Sequence, residues 1–327
     1  MHLLTTKLGL AAGLSALALT MTAQAHAAAP VNVGVDNGTL TIDGGNGADD
    51  ITLRLAPGAP QTLQIDTGAN VFQVARDSFQ RIDIDAGNGA DTVRFDEANG
   101  AVNATTPTVI HGGRGDDTLL GGSGAETLIG GRGDDVVDGN RGADTGVLGS
   151  GDDEFVWDNG DGSDVVEGDS GHDTMTFNGA AGPEQFDVSA NGGRVRFFRT
   201  QGTITMNLGS IERVDLNAFG GADTLTVNDL TGTDLTALNA DLAPTPGSTA
   251  TDGAADRVIV NGTAGDDAIV ASGYNGSATV TGLAATVSIV HAGVPEGDVL
   301  AINGLAGNDT IDASGLAAGA IGFESQP

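Results

Sequence analysis

Gly112-Gly113-Arg114-Gly115-Asp116-Asp117-Thr118-Leu119-Leu120 opens a stretch in which one nine-residue phrase is written five times without a gap, ending at Val156. The copies that follow read GGSGAETLI (121–129), GGRGDDVVD (130–138), GNRGADTGV (139–147) and LGSGDDEFV (148–156). After two extra residues, Trp157 and Asp158, come NGDGSDVVE (159–167) and GDSGHDTMT (168–176). The template is Gly-Gly-x-Gly-x-Asp-x-apolar-x. A flexible Gly/Asp-rich linker shares this composition, but it has no reason to hold glycine, acid and apolar residue in fixed phase.

The first six positions form a turn and the last three a short strand. Glycines at positions 1, 2 and 4, among them Gly113, Gly115, Gly131 and Gly133, permit positive φ and close approach of carbonyl oxygens. The acid at position 6 (Asp117, Glu126, Asp135, Asp144, Asp153, Asp164, Asp173) adds a carboxylate to that ring of oxygens. Asp116, Asp134 and Asp152 add another at position 5 of alternate copies. A flexible, all-oxygen shell suits Ca²⁺, with about six to eight ligands, better than the smaller and stricter Mg²⁺. The apolar residue at position 8 (Leu119, Leu128, Val137, Phe155, Val166, Met175) points inward from the strand. One such residue per phrase makes a thin core, so stacked turns must bury it jointly and metal must hold the loops.

Position 5 reads Asp116, Ala125, Asp134, Ala143, Asp152, Ser163, an alternation that His172 ends. GGRGDD at 112–117 recurs verbatim at 130–135. Two copies per coil explain both facts: odd copies form one edge, even copies the other, and ions sit between every second loop.

The run resembles the RTX, or haemolysin-type, calcium-binding repeats of secreted bacterial proteins. The resemblance implies a parallel β-roll with Ca²⁺ between successive turns, folded only when calcium is present. It is strong over residues 112–176. Glu126 in place of Asp, Gly146 in an apolar slot, and Asn140 and Leu148 in place of glycine depart from the pattern and mark weaker sites.

The chain has 327 residues, 53 of them glycine, with 4% aromatic residues and no cysteine, which points to a repetitive architecture without disulfides. Its net charge is −31, a poor surface for nucleic acid or anionic membrane and a good one for divalent cations. Residues 112–176 hold sixteen Asp or Glu against three Arg, a net of −13. Without metal these carboxylates repel one another, so folding on metal binding is expected.

Residues 1–28 have the three parts of a secretory signal: Lys7, an apolar Leu8–Met21, and Ala-x-Ala cleavage sites near Ala25 and Ala27. The apolar stretch is short for a membrane span. Residues 29–111 read as an N-terminal β-rich, solenoid-like region, 112–178 as the calcium-binding roll, and 179–327 as a C-terminal β-rich, solenoid-like region. Single copies of the phrase lie in the flanks, at 44–52, 86–94, 218–226, 262–270 and 304–312, mostly about 42 residues apart. Each long unit is read as one wide solenoid coil, with a β-sandwich bearing Gly-Asp turns as the competing reading. Their corner acids Asp49, Asp91, Asp223, Asp267 and Asp309 are open to two readings, half-site or tight turn. No helix is strongly signalled, although Leu230–Leu242 could hold a turn or two.

His111, His172 and His291 belong to no His-Glu-x-x-His pair, and Gly168-Asp169-Ser170-Gly171-His172-Asp173 is a copy of the phrase before it is a nucleophile loop. The expectation is a secreted, all-β, calcium-binding repeat protein without catalysis, with a structural or adhesive role toward a cell-surface or matrix partner. The alternative is a secreted hydrolase on a β-helix, with the repeats as a folding aid.

Overall fold

The computed structural model describes residues 30–245 and 247–326; the targeting segment read at 1–28 lies outside them. Because the phrase alternates a glycine turn with three residues of strand, the chain reverses every nine residues and lays successive strands in opposite sheets. Thr108–Arg114, Glu126–Arg132, Thr145–Ser150 and Val165–Ser170 stack in one sheet, and Thr118–Leu120, Val136–Asp138, Glu154–Trp157 and Thr174–Asn178 in the other. Every one of these neighbouring pairs is parallel. This is coil stacked on coil, a β-roll, and not the antiparallel packing of a sandwich.

The register puts the position-8 residues in columns. Leu119, Val137, Phe155 and Met175 lie opposite one another in one sheet, Ile110, Leu128 and Val166 in the other, and all are fully buried. Each such side chain contributes about 1.5–3 kcal/mol. Gly146 leaves a gap in its column for a reason: a β-carbon there would meet the Phe155 ring at 2.8 Å. The two-residue slip after Val156 also feeds the core. Trp157 stacks on Phe177 at 4.0 Å between ring centroids, and its indole N–H donates to Gly162 O at 2.7 Å.

Both sheets continue through the flanks to fourteen strands each. Thr39–Asn46 and Arg81–Asn88 precede the roll in its first sheet, Asp50–Ala56 and Thr92–Asp96 in its second. The extra length of the 42-residue units is not a wider coil. It is spent on antiparallel meanders lying in the plane of a sheet: Asp50–Ala56 with Ala59–Asp66 and Val71–Ala75, and Ala268–Tyr274 with Ser277–Thr281 and Thr286–Val290. A third, formed by Gln185–Asn191, Arg194–Arg199 and Ile204–Gly209, lies in the other sheet. A two-residue turn closes the first hairpin of each meander; at Asn275-Gly276 both residues have positive φ, the turn type that Asn-Gly favours. Leu230–Leu242 holds no helix; it is a loop followed by the strand Ala237–Asp241.

Candidate metal centre

Reversal of the chain every nine residues collects the glycine turns on two edges. Turns 112–117, 130–135, 148–153 and 168–173 lie on one edge, 121–126, 139–144 and 159–164 on the other. At Gly131 and Gly133 adjacent coils approach so closely that only glycine fits, whereas Asn140 and Asp169 hold position 2 of their copies at φ of 56° and 66°. A β-carbon on Gly131 or Gly133 would strike the carbonyl of Gly113 or Gly115 in the coil before, and both residues sit at φ near +120°. Gly113 and Gly115 share that conformation.

The position-6 acids are the spine of each edge. One carboxylate oxygen accepts the main-chain N–H of the corresponding acid in the preceding coil: Asp117 N to Asp135 Oδ1 at 2.8 Å, Asp135 N to Asp153 Oδ1 at 2.7 Å, and Asp153 N to Asp173 Oδ1 at 3.0 Å. The other edge repeats this from Glu126 to Asp144 and from Asp144 to Asp164, at 2.7 and 2.8 Å. The even spacing reads directly in the sequence separations, eighteen residues per coil and twenty across the Trp157-Asp158 slip.

The second oxygen has no such partner. Asp117, Asp135, Asp144, Asp153 and Asp173 are 1–2% exposed, and the Oδ2 atom of each is buried without any hydrogen bond. Main-chain oxygen lies close by: a β-carbon on Gly112 would lie 2.5 Å from Asp117 Oδ2 and 2.7 Å from Gly130 O. Burial, and secondarily the charge of neighbouring acids, raises these carboxyls above their usual range, Asp173 to about 6, Asp135 to about 7 and Asp144 to about 8. Asp117 and Asp153 move the same way for the same first cause. Leaving an ionisable oxygen buried and unpaired is costly unless a cation meets it.

Among the described residues, no three His, Asp or Glu side chains converge on one metal-sized point. What the turns of Asp117, Asp135, Asp144, Asp153 and Asp173 bring together is one free carboxylate oxygen each, near main-chain carbonyls, the donor set of a hard cation. These residues fit Ca²⁺: the bound ion would supply the positive charge the free oxygens lack, and the glycine carbonyls would complete an all-oxygen shell.

The acids fall into three separate lines. The odd position-6 acids hold one edge and the even ones the other. Asp116, Asp134 and Asp152 form an exposed outer line, Asp116 Oδ1 accepting from Asp134 N, Asp134 Oδ1 from Asp152 N, and Asp152 Oδ1 from His172 N, at 2.9–3.0 Å. Glu126, which stands in place of the usual Asp, differs from its neighbours. Its Oε1 accepts from Asn103 Nδ2 at 2.8 Å and its Oε2 from Gly122 N at 2.9 Å, so neither oxygen is free.

Asn103 is a residue the sequence did not reveal. It comes from the irregular loop before Thr108, is fully buried, and also accepts from Ser123 N at 3.2 Å, occupying the place of a preceding turn. The isolated corners are not isolated. Asp49 N donates to Asp91 Oδ1 at 2.7 Å, Asp91 N to Asp117 Oδ1 at 2.8 Å, and Asp173 N to Glu212 Oε2 at 2.8 Å, so one line of acids runs through seven coils. Asp267 N likewise donates to Asp309 Oδ1 at 2.9 Å.

A roll whose stacked glycine turns carry aligned, half-satisfied carboxylates is a metal-binding repeat structure. The model of the RTX calcium-binding nonapeptide repeat matches this chain in four copies, at residues 109–125, 120–155, 159–179 and 301–315. Over those stretches the chain carries repeats similar to the RTX calcium-binding nonapeptide, and the last match includes the Asp309 turn. A comparison with curated proteins gives no match.

Proposed function

We propose that the protein is a secreted, non-catalytic module with a structural or adhesive role, whose roll closes on binding calcium. The observation that carries this is the row of buried Oδ2 atoms at Asp117, Asp135, Asp153 and Asp173, each lacking a protein donor. Without cations these atoms oppose folding; with them, they bind coil to coil. Each site filled at a hundredfold over its Kd adds about 2.7 kcal/mol, so a few sites decide whether the roll exists. The net charge of −13 over 112–176 acts in the same direction.

Secretion rests on the signal-like residues 1–28, and calcium near 10⁻⁴ to 10⁻³ M, the usual working range of extracellular modules, would couple folding to export. Among the described residues no helix is long and apolar enough to cross a membrane. The non-catalytic reading is supported by how the acids are used: their Oδ1 atoms hold main-chain amides of the next coil, which fixes them as scaffold. The test is a far-UV circular dichroism titration of the mature chain with Ca²⁺, Mg²⁺ as control, and Trp157 fluorescence in parallel. Ellipticity and melting temperature should rise with calcium alone; indifference to several millimolar calcium would refute the proposal.

A further inference from the structure

The edge that carries Glu126, Asp144 and Asp164 holds a second run of stacked acids beyond the meander at 185–209. Glu184 N donates to Asp223 Oδ1, Asp223 N to Asp256 Oδ1, and Asp256 N to Asp298 Oδ1, each at 2.8 Å. Of the turns involved, AFGGAD (218–223) opens one of the single copies of the phrase, whereas GAAGPE (179–184), TDGAAD (251–256) and the segment 291–298 keep little of it; apart from Gly179, all lie outside the four matched stretches. It is the geometry that joins 251–256 and 291–298 to that line.

The four acids are not equivalent. Both oxygens of Glu184 are satisfied, one by the Arg199 guanidinium and one by Ala180 N–H at 2.6 Å. Both oxygens of Asp298 are satisfied too, Oδ1 by Asp256 N–H and Oδ2 by Gly293 N–H at 2.6 Å. The two middle acids are left short. Asp223 and Asp256 are 4% and 3% exposed, and the Oδ2 atom of each is buried with no hydrogen-bond partner. Asp252 ties the two turns together, accepting from Gly221 N at 2.8 Å and from Ala254 N at 3.0 Å, and brings a further negative charge. Among the described residues no Arg or His pairs with Asp223, Asp252, Asp256 or Asp298. The arrangement needs a positive charge and supplies none.

We propose that the stacked turns 218–223 and 251–256 form a further calcium site, in which Asp223 and Asp256 each give the carboxylate oxygen that no protein donor reaches. The donors are again carboxylate and main-chain oxygen, one free carboxylate oxygen per turn, and that chemistry selects a hard divalent cation. Glu184 and Asp298 close the site at its ends, the first through Arg199, the second through Gly293. The proposal rests on the calcium reading of the roll and extends it to turns outside the matched repeats.

The experiment counts bound calcium on the full mature chain by equilibrium dialysis, comparing the parent with the double variant Asp223→Asn, Asp256→Asn. Asparagine keeps the Oδ1 acceptor for the neighbouring amide and removes the charge. Bound calcium should fall by at least one ion per chain, while the calcium midpoint of Trp157 fluorescence, which reads the roll, moves less than about twofold. An unchanged count in the variant overturns this site and leaves the roll reading intact; a parent chain that binds no calcium overturns the roll reading itself. Should the variant fail to fold, hydrogen exchange on the unmodified protein decides: amides in 218–223 and 251–256 should slow on adding calcium, and unaltered exchange there refutes the site.

Discussion

Asp117 donates its main-chain N–H to Asp135 Oδ1 across 2.8 Å, while Asp135 Oδ2, an atom away, is buried with no donor at all. One side chain thus does two jobs, splicing consecutive coils with one oxygen and offering the other to a cation. The two jobs separate by mutation.

Asp135→Ala removes both. It leaves the Asp117 amide buried without an acceptor, which costs about 1–3 kcal/mol with or without calcium. Asp135→Asn keeps the acceptor and loses only the charge. The alanine variant should therefore be less stable to urea in chelator and in calcium alike; the asparagine variant should match or exceed the parent in chelator yet need more calcium to fold. Equal behaviour of the two would refute the division of labour.

Burial pushes Glu126 to about 7, Asp135 to about 7 and Asp144 to about 8, against about 4 in an unfolded chain. The folded state therefore holds protons more tightly than the unfolded one. The metal-free roll is most stable below about pH 4 and loses stability as pH rises toward about 8. Calcium needs the ionised acids, so the calcium-loaded roll should gain stability over the same window, and binding near pH 6.5 should release protons. Thermal melts across pH, with chelator and with calcium, should slope in opposite directions.

Gly131→Ala puts a β-carbon against Gly113 O at a φ of +119°, so two coils must part or strain. Gly182 has open space around it and no positive φ. Loss of more than about 1 kcal/mol is expected for Gly131→Ala. Gly182→Ala should lie within about 0.5 kcal/mol of the parent. Calcium-saturated urea melts provide the comparison.

Asn103→Ala should destabilise the calcium-loaded protein by about 1–3 kcal/mol, because buried Glu126 loses a donor and the half-buried Ser123 N–H an acceptor. Unchanged stability would mean the loop at 97–107 does not close the edge.

The roll was legible because its information is local and periodic. Nine-residue phasing set the reversals, and the alternation at position 5 set which turns share an edge; Asp116 and Asp134 do lie in one line, as their recurrence required. The flanks were harder. Asn275-Gly276 announces a hairpin, but nothing local says that its strands stay in the plane of the sheet instead of widening the coil. The pairing of Gln185–Asn191 with Thr224–Val227 is a long-range register that only the assembled core selects. Asn103 and Glu212 escaped for another reason. Each reaches its line of acids from a segment without the glycine phrase, and its role exists only once the coils are stacked.

Along the inner line the acid-to-amide bonds point one way, each coil's amide reaching for the carboxylate of a later coil, from Asp49 through Asp173 to Glu212. Such links act in series along the stacking axis, like the stitches of a seam. Tension applied along that axis would therefore be carried by the weakest stitch rather than shared among all, and each cation placed beside a stitch would raise the force at which the seam begins to open.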